Sequence, residues 1–205
     1  MQRNKIMNNM KKFIFLFAAA MSLFVTMTAC AKKKEMKADT QTVEAQSPQG
    51  RKILVAYFSA TGTTEGVAKM IASATGGELY KIRPQKEYSA ADLDWNEPTS
   101  RCCRENADAK SRPAIIKDKV NLDSYDVIYL GFPNWWNGAP RIINTFVEQY
   151  GLKGKTVIPF MTSGGSGIEN SERQLKKMYP EVNWKKGRLL NDVSQQDVNN
   201  WTKVN

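Results

Sequence analysis

The sequence predicts an α/β fold, a doubly wound sheet of five parallel strands in the order 2-1-3-4-5 with helices on both faces. Two observations predict it. Beyond Gly50, short apolar runs alternate with segments of helical periodicity. The runs are almost continuously apolar, as strands covered on both faces must be, and right-handed crossovers then place the helices on either side.

Taken in order, Lys52 to Phe58 (KILVAYF) is the first strand. Thr64 to Ala74 follows as a helix, with Val67, Met70 and Ile71 on one face. Glu78 to Ile82 is the second strand, entered through Gly76-Gly77, and Val127 to Phe132 is the third. Ala139 to Tyr150 is a helix with Ile142, Ile143, Phe146 and Val147 turned inward, stopped by Gly151. Lys155 to Thr162 is the fourth strand and Ile168 to Tyr179 the next helix. Arg188 to Asn191 is a short edge strand, and Ser194 caps a closing helix that runs to Lys203. The stretch from Arg83 to Asn121 is longer than an ordinary crossover and carries Pro84, Pro98 and Pro113. It is expected to be mostly loop, with a helical stretch near its end.

The chain has 205 residues, 41% of them hydrophobic, enough for one globular domain with an extension. Residues 1–29 read as an export signal: Lys11 and Lys12 precede an apolar run from Phe13 to Ala29, which ends Met27-Thr28-Ala29-Cys30. An uncleaved membrane anchor is the alternative, since the run approaches the length that spans a bilayer. Residues 30–50 are polar and aperiodic, a flexible tether, and residues 51–205 form the domain.

The formal charge is +10, of which residues 1–29 carry +4 and the remainder +6. The cations are scattered, with no helix or loop that concentrates Arg and Lys among aromatics, so no nucleic-acid partner is expected. Histidine is absent. That excludes Ser-His and Cys-His catalysis and imidazole-based zinc sites. Cys30, Cys102 and Cys103 have no metal-ligand spacing, and no metal is expected.

In a doubly wound sheet ligands sit beyond the carboxyl ends of the strands, so three loops carry the functional argument. The first, Ser59-Ala60-Thr61-Gly62-Thr63-Thr64, combines hydroxyls, a glycine and the free amides of a helix start. It suits a phosphate monoester, and it lacks both the lysine of the nucleotide P-loop and the glycine pattern of dinucleotide sites. An ordinary Ser/Thr helix cap is the alternative. The second loop, Gly131 to Pro140, holds Pro133-Asn134-Trp135-Trp136-Asn137. Adjacent tryptophans in a loop cannot both be core residues, so one indole face is left for a flat ring or for the next helix. The third loop is Thr162-Ser163-Gly164-Gly165-Ser166-Gly167, whose glycines admit close backbone approach to a ligand or simply make it flexible. No catalytic residue is assigned. Its spacing is not that of a nucleophile elbow, and no histidine exists to activate Ser166.

Together these loops resemble those of the flavodoxin-like family, in particular its short-domain bacterial branch, over residues 51–205. The resemblance implies FMN as cofactor. Ser59, Ala60, Thr61, Gly62, Thr63 and Thr64 would hold the phosphate, and Pro133 to Asn137 with Thr162 to Gly167 would flank the isoalloxazine. The segment ending at Cys30 resembles a bacterial lipobox, which implies lipidation of Cys30, a membrane-anchored lipoprotein and an extracytoplasmic, periplasmic-side location. Three features depart from the family pattern: Asn137 stands where glycine is usual, the domain is basic where soluble carriers tend to be acidic, and Cys102-Cys103 is not a family feature. Electron transfer to a redox partner protein or a small quinone-like acceptor is the function expected. An FMN-dependent NAD(P)H:quinone-type reductase is the alternative, and a binding module that has lost its cofactor is a third reading that the intact first and third loops oppose.

Overall fold

The computed structural model describes residues 50–204. The export signal, Cys30 and nearly all of the expected tether lie outside the described residues. Among those described, no helix is long and apolar enough to cross a membrane.

The chain runs β1 (Ile53–Tyr57), α1 (Thr63–Thr75), β2 (Glu78–Lys81), α2 (Arg101–Ala107), β3 (Val127–Pro133), α3 (Arg141–Tyr150), β4 (Thr156–Thr162), α4 (Glu169–Met178), β5 (Asn183–Trp184), β6 (Arg188–Leu189) and α5 (Gln195–Thr202). All sheet pairings are parallel, in the order β2-β1-β3-β4-β5, with β6 also on β4. The expected five-position sheet is therefore present. Alternation along the strands sorts their side chains into two cores. Leu54, Ala56, Phe58, Ile128, Leu130 and Phe132 face Ile142, Ile143 and Phe146 of α3 and Leu175 of α4. Val55, Tyr57, Tyr129, Ile158 and Phe160 face Val67, Ala68 and Ile71 of α1 and Val198 and Trp201 of α5. Each of the larger side chains buried in this way contributes about 1.5–3 kcal/mol relative to an exposed one.

Two expectations need correction. The edge strand placed at 188–191 is one half of a strand broken into β5 and β6. Asn183, Lys185 and Leu190 donate their N–H groups to the carbonyls of Lys155, Val157 and Met161, so alternate residues of β4 face this edge. Pro159 lies between Val157 and Met161 in that alternation and has no N–H to give. Gly187 sits against it, where a Cβ would lie 2.4 Å from the Pro159 carbonyl oxygen. The ladder is interrupted where its donor is missing.

The second correction concerns residues 83–121. The helix there is α2, in the middle of the segment, not near its end. Ser100 caps it, and Pro113 prevents a helix from running through the later part. Residues Gln85 and Ile116 instead donate to the carbonyls of Ala114 and Arg83, both at 2.8 Å. This antiparallel closure at Pro84 and Ile115 ties off a lobe that returns to the domain at the carboxyl end of the sheet.

Candidate functional site at the carboxyl ends of the strands

The first loop leaves β1 through Phe58 and turns at Gly62, whose φ of 94° is open to glycine and costly for other residues. No side chain caps α1. The Gly62 amide donates to Ser59 Oγ at 3.1 Å, and the first bond of the helix runs from the Gly66 amide to the Gly62 carbonyl. The amides of Thr63, Thr64 and Glu65 thus have no acceptor within the helix. The Glu65 carboxylate is turned away to Lys69 and Lys81, at 2.7 and 3.1 Å, which holds it below its ordinary pKa and offsets its charge. What remains at the loop is the positive end of a thirteen-residue helix with neutral hydroxyls around it.

Thr64 is used differently from its neighbours. Its hydroxyl is buried and hydrogen-bonded to the hydroxyl of Thr162 at 2.8 Å, so it fastens the first loop to the third.

In the second loop the backbone closes a two-residue turn, with Trp135 and Gly138 exchanging both N–H···O bonds at 3.0 Å. Trp136 and Asn137 occupy its centre with φ of 48° and 59°. Asparagine tolerates that conformation, so the turn survives without the usual glycine. For Trp136 it is strained, a cost that places the bulky ring where ordinary backbone would not. The two indoles divide the work that their adjacency forces on them. Trp135 packs edge-on against Phe58 and Tyr88, with centroids 5.7 and 5.6 Å apart. Trp136 remains 44% exposed.

The third loop is organised by Ser163. Its Oγ accepts from the amides of Gly165 and Ser166 at 3.1 and 3.0 Å and from Asn134 Nδ2 at 3.2 Å. Asn191, just beyond β6, accepts from the Ser163 amide at 2.9 Å and donates to its carbonyl at 2.5 Å. Asn134 Oδ1 is buried with no hydrogen-bond partner.

A cavity of about 340 Å³ opens between these parts. Ser59, Ala60, Thr61 and Thr64 line it from the first loop, Pro133 to Trp136 from the second, and Leu93, Trp95 and Cys102 from the lobe. Gly62, Thr63 and Asn137 sit in the same turns without lining it, and Thr162 to Gly167 stand beside it, joined through the Thr64 and Asn134 contacts. The lobe is held in place by Tyr88. The Arg101 guanidinium lies 3.8 Å from the Tyr88 ring centroid, and Arg101 Nε and Tyr88 Oη both donate to Glu105 at 2.6 Å. Burial and the Glu105 carboxylate push the Tyr88 phenol well up.

Four contributors escaped the sequence reading: Tyr88, Leu93, Cys102 and Asn191. No motif marks them. The usable signals were Tyr88 and Trp95, two aromatics in an otherwise polar segment.

The model of the family described as flavodoxin matches residues 52–205. The chain belongs to the flavodoxin family. No curated protein matches it. Among solved structures, it is similar to a protein of Bacteroides eggerthii provisionally described as a flavoprotein. That protein is 56% identical, with a TM-score of 0.73 over 75% of this chain and 97% of the other. A counterpart from Bacteroides uniformis, described in the same way, is also 56% identical, with a TM-score of 0.73 over 75% and 98%. A flavoprotein of Lactobacillus acidophilus in complex with FMN shares the fold at 22% identity, with a TM-score of 0.62 over 74% and 99%. Within this flavodoxin three Trp residues (Trp95, Trp135 and Trp136), the cap-free helix and the lobe surround one cavity.

Proposed function

We propose that this flavodoxin binds FMN without a covalent link and passes electrons as a carrier, tethered by a lipid on Cys30 at the extracytoplasmic face of a bacterial membrane. The observation that carries the cofactor reading is the cap-free, lysine-free start of α1 beside an aromatic-walled cavity. The residues fit the group. A phosphate monoester meets the amides of Thr63 and Thr64 with the hydroxyls of Ser59, Thr61 and Thr63, and the positive helix end stabilises its charge. Trp136 offers an indole face to a flat ring, and the buried Asn134 Oδ1 is an acceptor for a ring N–H. Bound FMN supplies one- and two-electron chemistry; the chain holds it, excludes water from one face and sets the electrostatics.

The relative crystallised with FMN supports the choice of flavin. Partner choice rests on the mouth of the cavity, where Trp136 and Trp95 are exposed to a redox protein or a small quinone-like acceptor. That exposed Trp95 over the cavity is also what favours the second reading, an FMN-dependent NAD(P)H:quinone-type reductase.

Adding FMN to the purified protein tests the cofactor: a stoichiometric shift in the flavin spectrum with loss of Trp fluorescence is expected, and an unchanged spectrum contradicts it. Quinone-dependent oxidation of NAD(P)H by the loaded protein separates reductase from carrier. For the anchor, radioactive palmitate should label the expressed wild-type chain and not Cys30→Ser, whose precursor stays uncleaved. Continued labelling of that variant contradicts the assignment.

A further inference from the structure

Cys102 and Cys103 are free thiols in the first turn of α2. Cys102 is 2% exposed and forms part of the cavity wall. Cys103 is only half-buried and does not line the cavity; its Sγ lies 3.8 and 3.6 Å from the backbone carbonyls of Asp94 and Trp95. Ser100 Oγ joins the two, lying 3.4 Å from Cys102 Sγ and accepting from the Cys103 amide at 3.4 Å. One thiol is therefore wall, the other a tie to the loop that carries Leu93 and Trp95 over the cavity.

We infer that Cys102-Cys103 is a thiol–disulfide exchange site that controls the roof of the cavity, with a low-molecular-weight disulfide as oxidant. The half-buried Cys103 attacks first as its thiolate. Its sulfur bonds to one sulfur of the external disulfide, whose S–S bond breaks and releases one thiolate. The Cys102 thiolate then displaces the second external sulfur from Cys103. The two protons lost by the cysteines end on the two thiols released, and the pair is oxidised as the external disulfide is reduced. The buried thiol is the resolving one; burial pushes its pKa up, which makes it the poorer first nucleophile.

The consequence follows from geometry. Neighbouring Cα atoms are about 3.8 Å apart across a trans peptide, below the roughly 4.4–6.8 Å that disulfides take. The small ring cannot keep helical dihedrals, so closing it unwinds the first turn of α2. That removes the Ser100 cap, withdraws Cys102 from the wall and releases the Asp94 and Trp95 carbonyls. The reduced pair closes the roof and the oxidised pair opens it. Loss of flavin on opening rests on the FMN reading above; the movement of Trp95 does not.

The full chain, reduced and then exposed to glutathione disulfide, tests the site with three readouts. Peptide mapping by mass spectrometry should place a loss of two hydrogens on the peptide that holds Cys102 and Cys103. Trp emission should shift to the red, as the opened roof admits water to the half-buried Trp135, and return on reduction. The FMN dissociation constant should rise by at least about tenfold and recover likewise. Cys103→Ser keeps a hydroxyl donor toward the two carbonyls and forms no bridge, so oxidant should alter neither its emission nor its affinity. Persistence of both thiols, a stable mixed disulfide, a bridge to Cys30, or a bridged pair with unchanged emission overturns the inference. If the reduced chain binds no FMN the cofactor reading fails, and mapping with emission still decides the thiol site.

Discussion

Gly131 closes the range of side chains that β3 can carry. A Cβ there would lie 2.1 Å from the Phe160 ring, which is fully buried between β4 and the α1–α5 layer. The ring has no space to yield into, so Gly131→Ala should destabilise by about 1–3 kcal/mol, the cost of overpacking a filled core. A urea midpoint unchanged from wild type would show that Phe160 moves freely. Burial also tunes the tyrosines. Tyr125, Tyr129 and Tyr179 are pushed from 10.0 to about 12, first by burial and, for Tyr125 and Tyr179, by hydrogen bonds to Glu78 and Glu148. Their folded forms keep a proton that the unfolded chain has lost above pH 10. The unfolded state then binds fewer protons, so this stabilisation is complete below about pH 10 and is lost as the pH rises toward about 12. Denaturant midpoints measured across that window should fall, and Tyr125→Phe should flatten the fall. A midpoint constant through the window would contradict the assignment.

At the scale of elements, the regular part of the fold was legible because its signals are local. Val67, Met70 and Ile71 give α1 its period, Gly151 stops α3, and Ser194 with Asp197 forms a complete capping box at α5. The break between β5 and β6 was illegible because it arises on the neighbouring strand, where Pro159 withholds a donor from a segment more than twenty residues later. The lobe was illegible for a similar reason. Tyr88, Arg101 and Glu105 have no motif, and only folding brings their ring, cation and carboxylate together. In the candidate site, the tolerance of Asn137 for its turn was legible, because the left-handed region is open to asparagine, whereas the strained φ of Trp136 beside it had no local signal. The third loop was read for its glycines, whereas its order comes from Ser163 and the distant Asn191. Asn191→Ala should cost about 1 kcal/mol or less in global stability, as exposed hydrogen bonds do. Its larger effect should be local, with faster amide exchange at Ser163 to Ser166 and weaker FMN binding. Exchange rates equal to wild type would show that the loop orders itself.

For the whole molecule, the sheet gathers three loops and one lobe at the carboxyl ends of its strands, and the helix dipole of α1 supplies the charge that no side chain there provides. The domain's basic balance adds a diffuse attraction for anions that salt screens beyond about 10 Å. Neither selects FMN alone; the proposed assignment depends on a phosphate held by amides and hydroxyls next to an indole. Each charge-assisted hydrogen bond to that phosphate contributes about 1.5–3 kcal/mol. The most direct measurement is therefore a pair of fluorescence titrations of the protein with FMN and with riboflavin, at the same salt concentration. The account predicts that riboflavin, which lacks only the phosphate, binds weaker by several orders of magnitude. Equal dissociation constants for the two flavins would contradict it.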